Sequence, residues 1–555
     1  MVSLLLRHLV QPNPQYGATH DDELMVRMAA SILRGEWLGS YADHGHMILS
    51  KPAGYPLFLA WTHFLPWAPT MTVHFILLSG VVLVARELRA IGLRRGAVLL
   101  FVALSALQPQ WFGSQMSRIY RDGFFAALVF LGLGLSLWLG RVLPIWANQR
   151  NRNRRAAAQV TGLAILCGVT LSWSIATKPS WYPLALVMVA FVMRSLLAIR
   201  QISWRIWFPR LVVVGLSAIL GLASVSGYVM LQNKKHYGVL QLDSFSSGSF
   251  PKAFNEWSSV KSDDTRKYIL VDASQRKRVY GISEVARKLK PYLELTWGNG
   301  WRGSACSSPL KICDESATWF VWDLRDAMHS AGLDNSASQF EKSFAQLSRD
   351  ISDACATRRI TCSGGGLAPG LVSFADMSKR EVVDAYATAL DWIAFPDIGY
   401  TARGGKASGN PDIVNEWDQV VKGLPSRAEL NSYRPEVTAL GNSISLLQRF
   451  YAIFWPFMIA LVILGVVTSP LGPKSVRTRR FISVCSAAGI VLFVGQLALL
   501  EASSGMYLST GKANYLLPVF PFLLVAIAVE LDVLGDQVDR WKKPAITSHK
   551  HDAQS

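Results

Sequence analysis

The segment GATHDDELMVRMAASILRGEW, residues 17 to 37, sets Asp21, Asp22 and Glu23 in the first turn of a helical pattern, with Thr19 placed to cap it. Carboxylates there complement the helix dipole and can complete a capping box. A carboxylate at a chain bend is also suited to take a proton from a hydroxyl. A second segment, GSQMSRIYRDG at 113 to 123, packs Arg118, Arg121 and Asp122 around Tyr120. Lys51, Lys178 and Lys512 each stand beside an apolar run. One such cation normally snorkels toward water. Five cations in four segments instead describe a site for an anion, a phosphate above all, because ionised donors make the strongest hydrogen bonds to it.

The elements that must position these residues are membrane spans. Only 17% of the 555 residues are charged and mean hydropathy is positive, where soluble domains carry about a quarter charged. About 20 mostly apolar residues cross a bilayer core. Such runs lie near 71–90, 95–112, 123–140, 157–177, 181–198, 210–230, 446–468, 480–500 and 514–533. The fold class expected is a polytopic α-helical membrane protein of about nine to eleven transmembrane helices with a mainly α extracytoplasmic domain. Its divisions are an outer segment at 1–70 carrying the acidic motif, a transmembrane core at 71–230, a soluble domain at 231–445, the last spans at 446–533 and a cytoplasmic tail at 534–555.

Every second loop is basic: RELRAIGLRRG, GRVLPIWANQRNRNRRAA, RSLLAIRQISWRIWFPR, GPKSVRTRR and the terminal DRWKKP. The positive-inside rule places these loops in the cytoplasm and the acidic and cationic segments on the outer face, as expected for a bacterial cytoplasmic membrane. The net charge of +18 therefore resides largely in membrane loops, and no nucleic-acid partner is expected. The run at 53–68, broken by Pro and Trp, reads as a helix at the outer interface. MVSLLLRHLV offers no obvious first span or signal segment, so either a first helix precedes it or Met1 to Val10 is the remnant of one.

Cys306, Cys313, Cys355 and Cys362 form two local pairs of identical spacing in the polar domain. In an oxidising space they read as two small-loop disulfides. Cys167 and Cys485 lie in apolar runs. In the same domain Trp297, Trp301, Trp319 and Trp322 suit either a core or a sugar ring.

An outer-face site with carboxylates and cations at the bilayer surface suits a substrate with a phosphate at headgroup level and a long lipid tail, such as a polyprenyl-phosphate sugar. Four pieces, in this order, resemble the GT-C glycosyltransferases, specifically bacterial members related to the aminoarabinose and protein mannosyl transferases. DDELMVRMAASILRGEW resembles their acidic juxtamembrane motif, and KPAGYPLFLAW the Lys-Pro-Pro-Leu type element after it. RIYRD occupies the second outer loop, and KANYLLPVFPFLL is similar to the Tyr-Leu-x-Pro opening of a late span. The resemblance covers 19–240 and 446–533; the intervening domain matches nothing named. Lys178-Pro179-Ser180 departs from the acidic stretch that related sequences often carry.

What the resemblance implies is an inverting transfer of a sugar to an acceptor hydroxyl on a lipid, polysaccharide or protein, with polyprenyl phosphate leaving. Asp22 is then the base and Asp21 orients it or binds a metal, Mg²⁺ or Mn²⁺, together with Asp122. Lys51, Arg118, Arg121, Lys178, Lys512 and Tyr515 hold the donor phosphate, and Tyr120 and Asp122 support them. Two rival classes stand beside this one. A lipid or glycolipid transporter or flippase should show internal repeats and mid-span charges, and a non-catalytic glycan-binding scaffold would show no turnover. Neither HExxH nor GxxxxGK[ST] occurs in the chain, which sets metalloproteases and P-loop enzymes aside.

Overall fold

In the computed structural model the described residues are all of 1–555 except 11, 16–17, 19, 42–46, 149–152, 200–203, 296–299, 363–377, 395–410, 423, 425–434, 470–473, 506–512 and 543–555. Thr19, Trp297 and Lys512 lie outside them. Among the described residues there is no strand, only two isolated bridges. A helix is the only form in which one apolar segment satisfies its own backbone in lipid.

Six helices are long and apolar enough to cross a membrane: Pro69–Ala90, Arg121–Asn148, Arg154–Thr177, Trp207–Tyr237, Gly441–Val467 and Arg479–Ala502. Shorter or more charged helices at Tyr182–Ile199 and Val519–Lys542 complete the bundle. Arg121–Asn148 lies at its centre, with 83% of its most apolar window buried against 17% for Trp207–Tyr237. The peripheral helix reaches the bundle through a close crossing on Arg154–Thr177. A Cβ at Gly168 would meet Ala218 O and one at Gly221 would meet Ile165 O, so neither position admits a side chain at this spacing. Ser172 and Ser226 bond across the same contact at 3.1 Å. Small residues and interhelical hydroxyls are how apolar helices associate in lipid, where no water is expelled to drive them together.

The site residues and the basic loops fall at opposite ends of these helices. Arg121 opens the central helix and Arg154 opens the next, which closes at Thr177 before Lys178. Asn153 caps that second helix, its Oδ1 accepting from Arg155 N at 3.1 Å. The basic ends are tied by carboxylates. Glu87 accepts from Arg141 Nε at 2.6 Å, and Asp536 accepts from both Arg94 and Arg479.

Two expectations are corrected. The run 95–112 is not one span, because its helix Arg95–Ala106 has 12 residues, about 18 Å at 1.5 Å per residue, and Pro109 opens a separate 3₁₀ turn to Phe112. The run 53–68 is not a surface helix. Gly54–Thr62 is buried over most of its length and its Tyr55, Phe58 and Leu59 join the bundle core. Gly54 permits this, since a Cβ there would stand 2.5 Å from Ala176 O and 2.9 Å from Thr177 Oγ1.

Residues 249–356 fold as helices around their own core of Phe250, Phe254, Trp257, Phe320, Phe344 and Leu347. Disulfides join Cys306 to Cys313 and Cys355 to Cys362, in the local pairing expected. Asp272 and Gln275 form a capping box at the start of the helix Ala273–Ile282. The flanking helices overrun the expected domain limits, one running from Trp204 to Tyr237 and the other starting at Pro435. The domain is fastened beside the acidic segment: Ser244 N donates to Leu49 O at 2.6 Å, and buried Arg325 donates to Ser244 Oγ at 2.8 Å.

Candidate active site

The helix Asp22–Leu33 begins at Asp21, whose φ of −126° and ψ of −97° turn the chain out of the helical path. That turn sends the adjacent carboxylates to different partners. Asp21 Oδ1 accepts from Lys51 Nζ at 2.9 Å and from Tyr120 Oη at 3.0 Å. Asp22 accepts from Arg118 through both Nε, at 3.1 Å, and Nη2. The Asp21 side chain is 41% exposed and that of Asp22 is 0%.

Arg118 is carried by a short chain pairing. Asn13 N donates to Ser117 O at 2.7 Å, and buried Arg7 donates to Ser117 Oγ, Trp111 O and Val10 O. The N-terminal helix Val2–Leu9 thereby braces the loop that presents Arg118. Lys178 precedes a proline, which disfavours helical backbone, and its φ of −150° and ψ of 136° take it off the helix end. Its Nζ pairs with Asp122 and lies 4.7 Å from the Tyr515 ring centroid. Arg121 and Arg118 lie 5.5 and 5.0 Å from the Tyr120 centroid. Arg121 is buried, touches Thr177 O at 3.4 Å, and has no acceptor for its Nε.

Asp21, Asp22, Lys51, Arg118, Tyr120, Arg121, Asp122, Lys178 and Tyr515 are therefore linked into one cluster drawn from five segments of the chain. Four cations, Lys51, Arg118, Arg121 and Lys178, face three carboxylates, Asp21, Asp22 and Asp122. That leaves one positive charge in excess, the complement of a phosphodiester. Burial pushes Asp22 up to about 7, and the Arg118 charge and hydrogen bond only partly oppose it. Burial acts on Asp21 in the same sense but is outweighed there by Lys51, Arg121 and Arg118, which hold its carboxyl well below the usual range. Burial lowers Lys51 and Lys178 from the usual lysine value, against the pull of Asp21 and Asp122.

Two readings of the sequence change. Asp22 was expected as the base, but it is enclosed and held at both oxygens by Arg118; Asp21 is the carboxylate a substrate can reach. Its low proton affinity makes it the weaker base of the two, yet a hydroxyl must first reach the group that deprotonates it, so access decides. Nor do the residues fit a metal at Asp21 and Asp122. Lys51 Nζ and Lys178 Nζ stand where a cation would bind, and among the described residues no three His, Cys, Asp or Glu side chains gather as a ligand set.

The aromatic rim was missed as part of the site. Lys51 Nζ lies 5.4 Å from the Trp322 ring centroid, and His20 lies between Trp301 and Trp322, 5.1 and 5.6 Å from their centroids. His20 adjoins Asp21 in the sequence, a signal that was open to view. The approach of residues 301–322, some 280 positions away, was not.

No family model matches the chain, and no curated protein matches it. Two solved structures are similar to it, both of ArnT from Cupriavidus metallidurans. The apo structure is 13% identical, covers 97% of this chain and 78% of that one, and has a TM-score of 0.29. The structure bound to undecaprenyl phosphate is 13% identical, covers 97% of this chain and 76% of that one, and has a TM-score of 0.26. At these TM-scores the likeness carries no argument about the site, which rests on the residues above.

Proposed function

We propose that this chain is an inverting GT-C-type membrane glycosyltransferase that moves a sugar from a polyprenyl-phosphate donor to an acceptor hydroxyl on the outer face of a bacterial cytoplasmic membrane. The observation that carries the reading is the exposed Asp21 carboxylate held beside a buried, cation-rich cluster at the ends of apolar helices. The donor phosphate lies against Arg121 and Lys178 beside Tyr515, with its tail in the membrane. Arg121 Nε is a buried donor awaiting an acceptor, and an unsatisfied buried group is costly unless a ligand completes it.

In the reaction the acceptor oxygen attacks the anomeric carbon. A carbon–oxygen bond forms to the acceptor as the bond to the phosphate oxygen breaks, and polyprenyl phosphate departs with the electron pair. Asp21 takes the hydroxyl proton late, when the new bond has already acidified it, which suits a carboxylate of low proton affinity. Arg121 and Lys178 stabilise the charge growing on the leaving phosphate. Lys51 and Tyr120 aim Asp21, and Asp22 keeps Arg118 in place. Every charge is supplied by side chains already present, so no step passes through a metal.

The test uses purified protein in lipid discs with a panel of polyprenyl-phosphate sugars, scoring release of polyprenyl phosphate. Turnover that disappears in Asp21→Asn and shows a raised donor KM in Arg121→Gln supports the reading. Donor binding with no release under any acceptor condition counts against it and favours a carrier or scaffold.

A further inference from the structure

We propose that the indoles of Trp301, Trp319 and Trp322 form a saccharide-binding platform that delivers the acceptor to Asp21, so that the acceptor is a sugar ring rather than a protein side chain. The inference rests on the proposed transfer for its use of the word acceptor, but the binding surface stands on its own geometry.

Trp301 is near-parallel to both neighbours, at 28° and 5.6 Å to Trp319 and 20° and 6.0 Å to Trp322. Stacks of this kind normally fill a core. Here the domain core is already filled by Phe250, Trp257, Phe320 and Phe344, and Trp301 and Trp319 belong to no core cluster. All three indoles keep part of their surface exposed. A run of aligned indoles outside the core presents a flat apolar face of the size that the C–H face of a pyranose covers.

The rim of the platform is polar in the manner a sugar needs. Trp301 Nε1 donates to Asp326 at 2.6 Å, while Trp319 Nε1 is a buried donor with no acceptor. A few placed polar groups around an apolar surface give orientation and specificity. A ligand hydroxyl is the natural partner for the Trp319 N–H.

Position assigns the role. Lys51 joins the platform to the base, since its Nζ bonds Asp21 at 2.9 Å and lies 5.4 Å from the Trp322 centroid. The phosphate-holding pair, Arg121 and Lys178, belongs to the helix ends of the bundle and to Tyr515, whereas the platform belongs to the soluble domain. A donor held by its phosphate from the bundle and an acceptor stacked on the domain meet at Asp21, the group that needs the acceptor's proton.

Calorimetric titration of the wild-type protein in lipid discs with chitotriose, mannotriose and maltotriose, and with sorbitol as an open-chain control, tests the surface without any turnover. Saturable binding of at least one trisaccharide and none of sorbitol is expected. Trp301→Ala should weaken it about tenfold, the scale of a lost aromatic contact, while Trp301→Phe keeps most of it and both variants retain the wild-type melting temperature. Donor hydrolysis to water should stay at the wild-type rate in Trp301→Ala, and the same trisaccharide offered as acceptor should show a raised KM. Binding of no trisaccharide, or binding unchanged in a folded Trp301→Ala, overturns the proposal. Saccharide binding without any release of polyprenyl phosphate would leave the platform standing and remove the transfer reading, so the two failures are distinct.

Discussion

Asp22 and Arg118 form a two-point pair in which the carboxylate is wholly enclosed and both of its oxygens are engaged by one guanidinium. Removing either member leaves the other charged and buried, which costs about 3–5 kcal/mol. Asp22→Ala and Arg118→Ala should therefore each destabilise the protein strongly, while the combined Asp22→Asn, Arg118→Gln variant should be milder than the sum. A double-mutant cycle on thermal unfolding in lipid discs measures this, and strictly additive losses would show that the pair is not energetically coupled.

The same pair sets a pH dependence. Asp22 binds its proton more readily in the folded chain, at about 7, than at the ordinary 3.8. Between those values the folded state holds more protons than the unfolded one, so stability contributed by this group falls as pH rises and stays lower above 7. Asp22→Asn removes the titration. The melting temperature of Asp22→Asn relative to wild type should therefore climb between pH 5 and pH 8. A difference that stays flat across that range would mean that Asp22 is ionised throughout, with Arg118 outweighing burial.

Asp21 should behave in the opposite way for activity and stability. It is partly exposed and pairs with a flexible ammonium, so Asp21→Asn should change the melting temperature little. Loss of a positioned base costs about 10²–10⁴ in rate, and release of polyprenyl phosphate should fall on that scale. A variant that melts normally and turns over normally would move the base elsewhere.

The contrast between Asp21 and Asp22 also marks where the sequence stops speaking. The chemistry-bearing residues were legible because they are cations and carboxylates beside apolar runs, a placement that membrane energetics makes expensive and therefore conspicuous. Which of two adjacent carboxylates faces outward was not legible. It depends on the Asp21 backbone turning out of the helical path and on Arg118 arriving from 96 positions away. The Lys178-Pro179 step read as a departure from an acidic pattern, yet that lysine completes an ion pair with Asp122. The spans were readable from hydropathy, but Pro109 and the burial of Gly54–Thr62 follow from tertiary packing that no window of residues contains.

Gly54 offers a test of how far that packing controls the site. A side chain there would press on Ala176 O and Thr177 Oγ1, immediately before Lys178 and beside the carbonyl that Arg121 touches. Gly54→Val should cost about 1–3 kcal/mol, the usual range for overpacking, and should also raise the donor KM. Gly168→Val, at the distant helix crossing, should cost comparable stability with the donor KM unchanged. Equal effects of both variants on KM would mean that stability alone, and not the position of Lys178, governs donor binding.

The two disulfides tie the soluble domain to the compartment assigned to it. Each closes a loop between cysteines seven positions apart, and cross-linking so short a loop contributes about 2–3 kcal/mol by the chain-entropy account. The Cys306→Ser, Cys313→Ser and Cys355→Ser, Cys362→Ser pairs should lower the melting temperature, and reducing agent should reproduce the loss in the wild type. Cys167 and Cys485 are buried among the bundle helices and should remain thiols. Alkylation of denatured, unreduced protein followed by mass spectrometry should therefore label those two positions and spare the other four. Labelling of all six in protein isolated from its native membrane would put the domain in a reducing space. The outward orientation read from the basic loops would then be reversed, and Asp21 and Lys178 would face the cytoplasm with it.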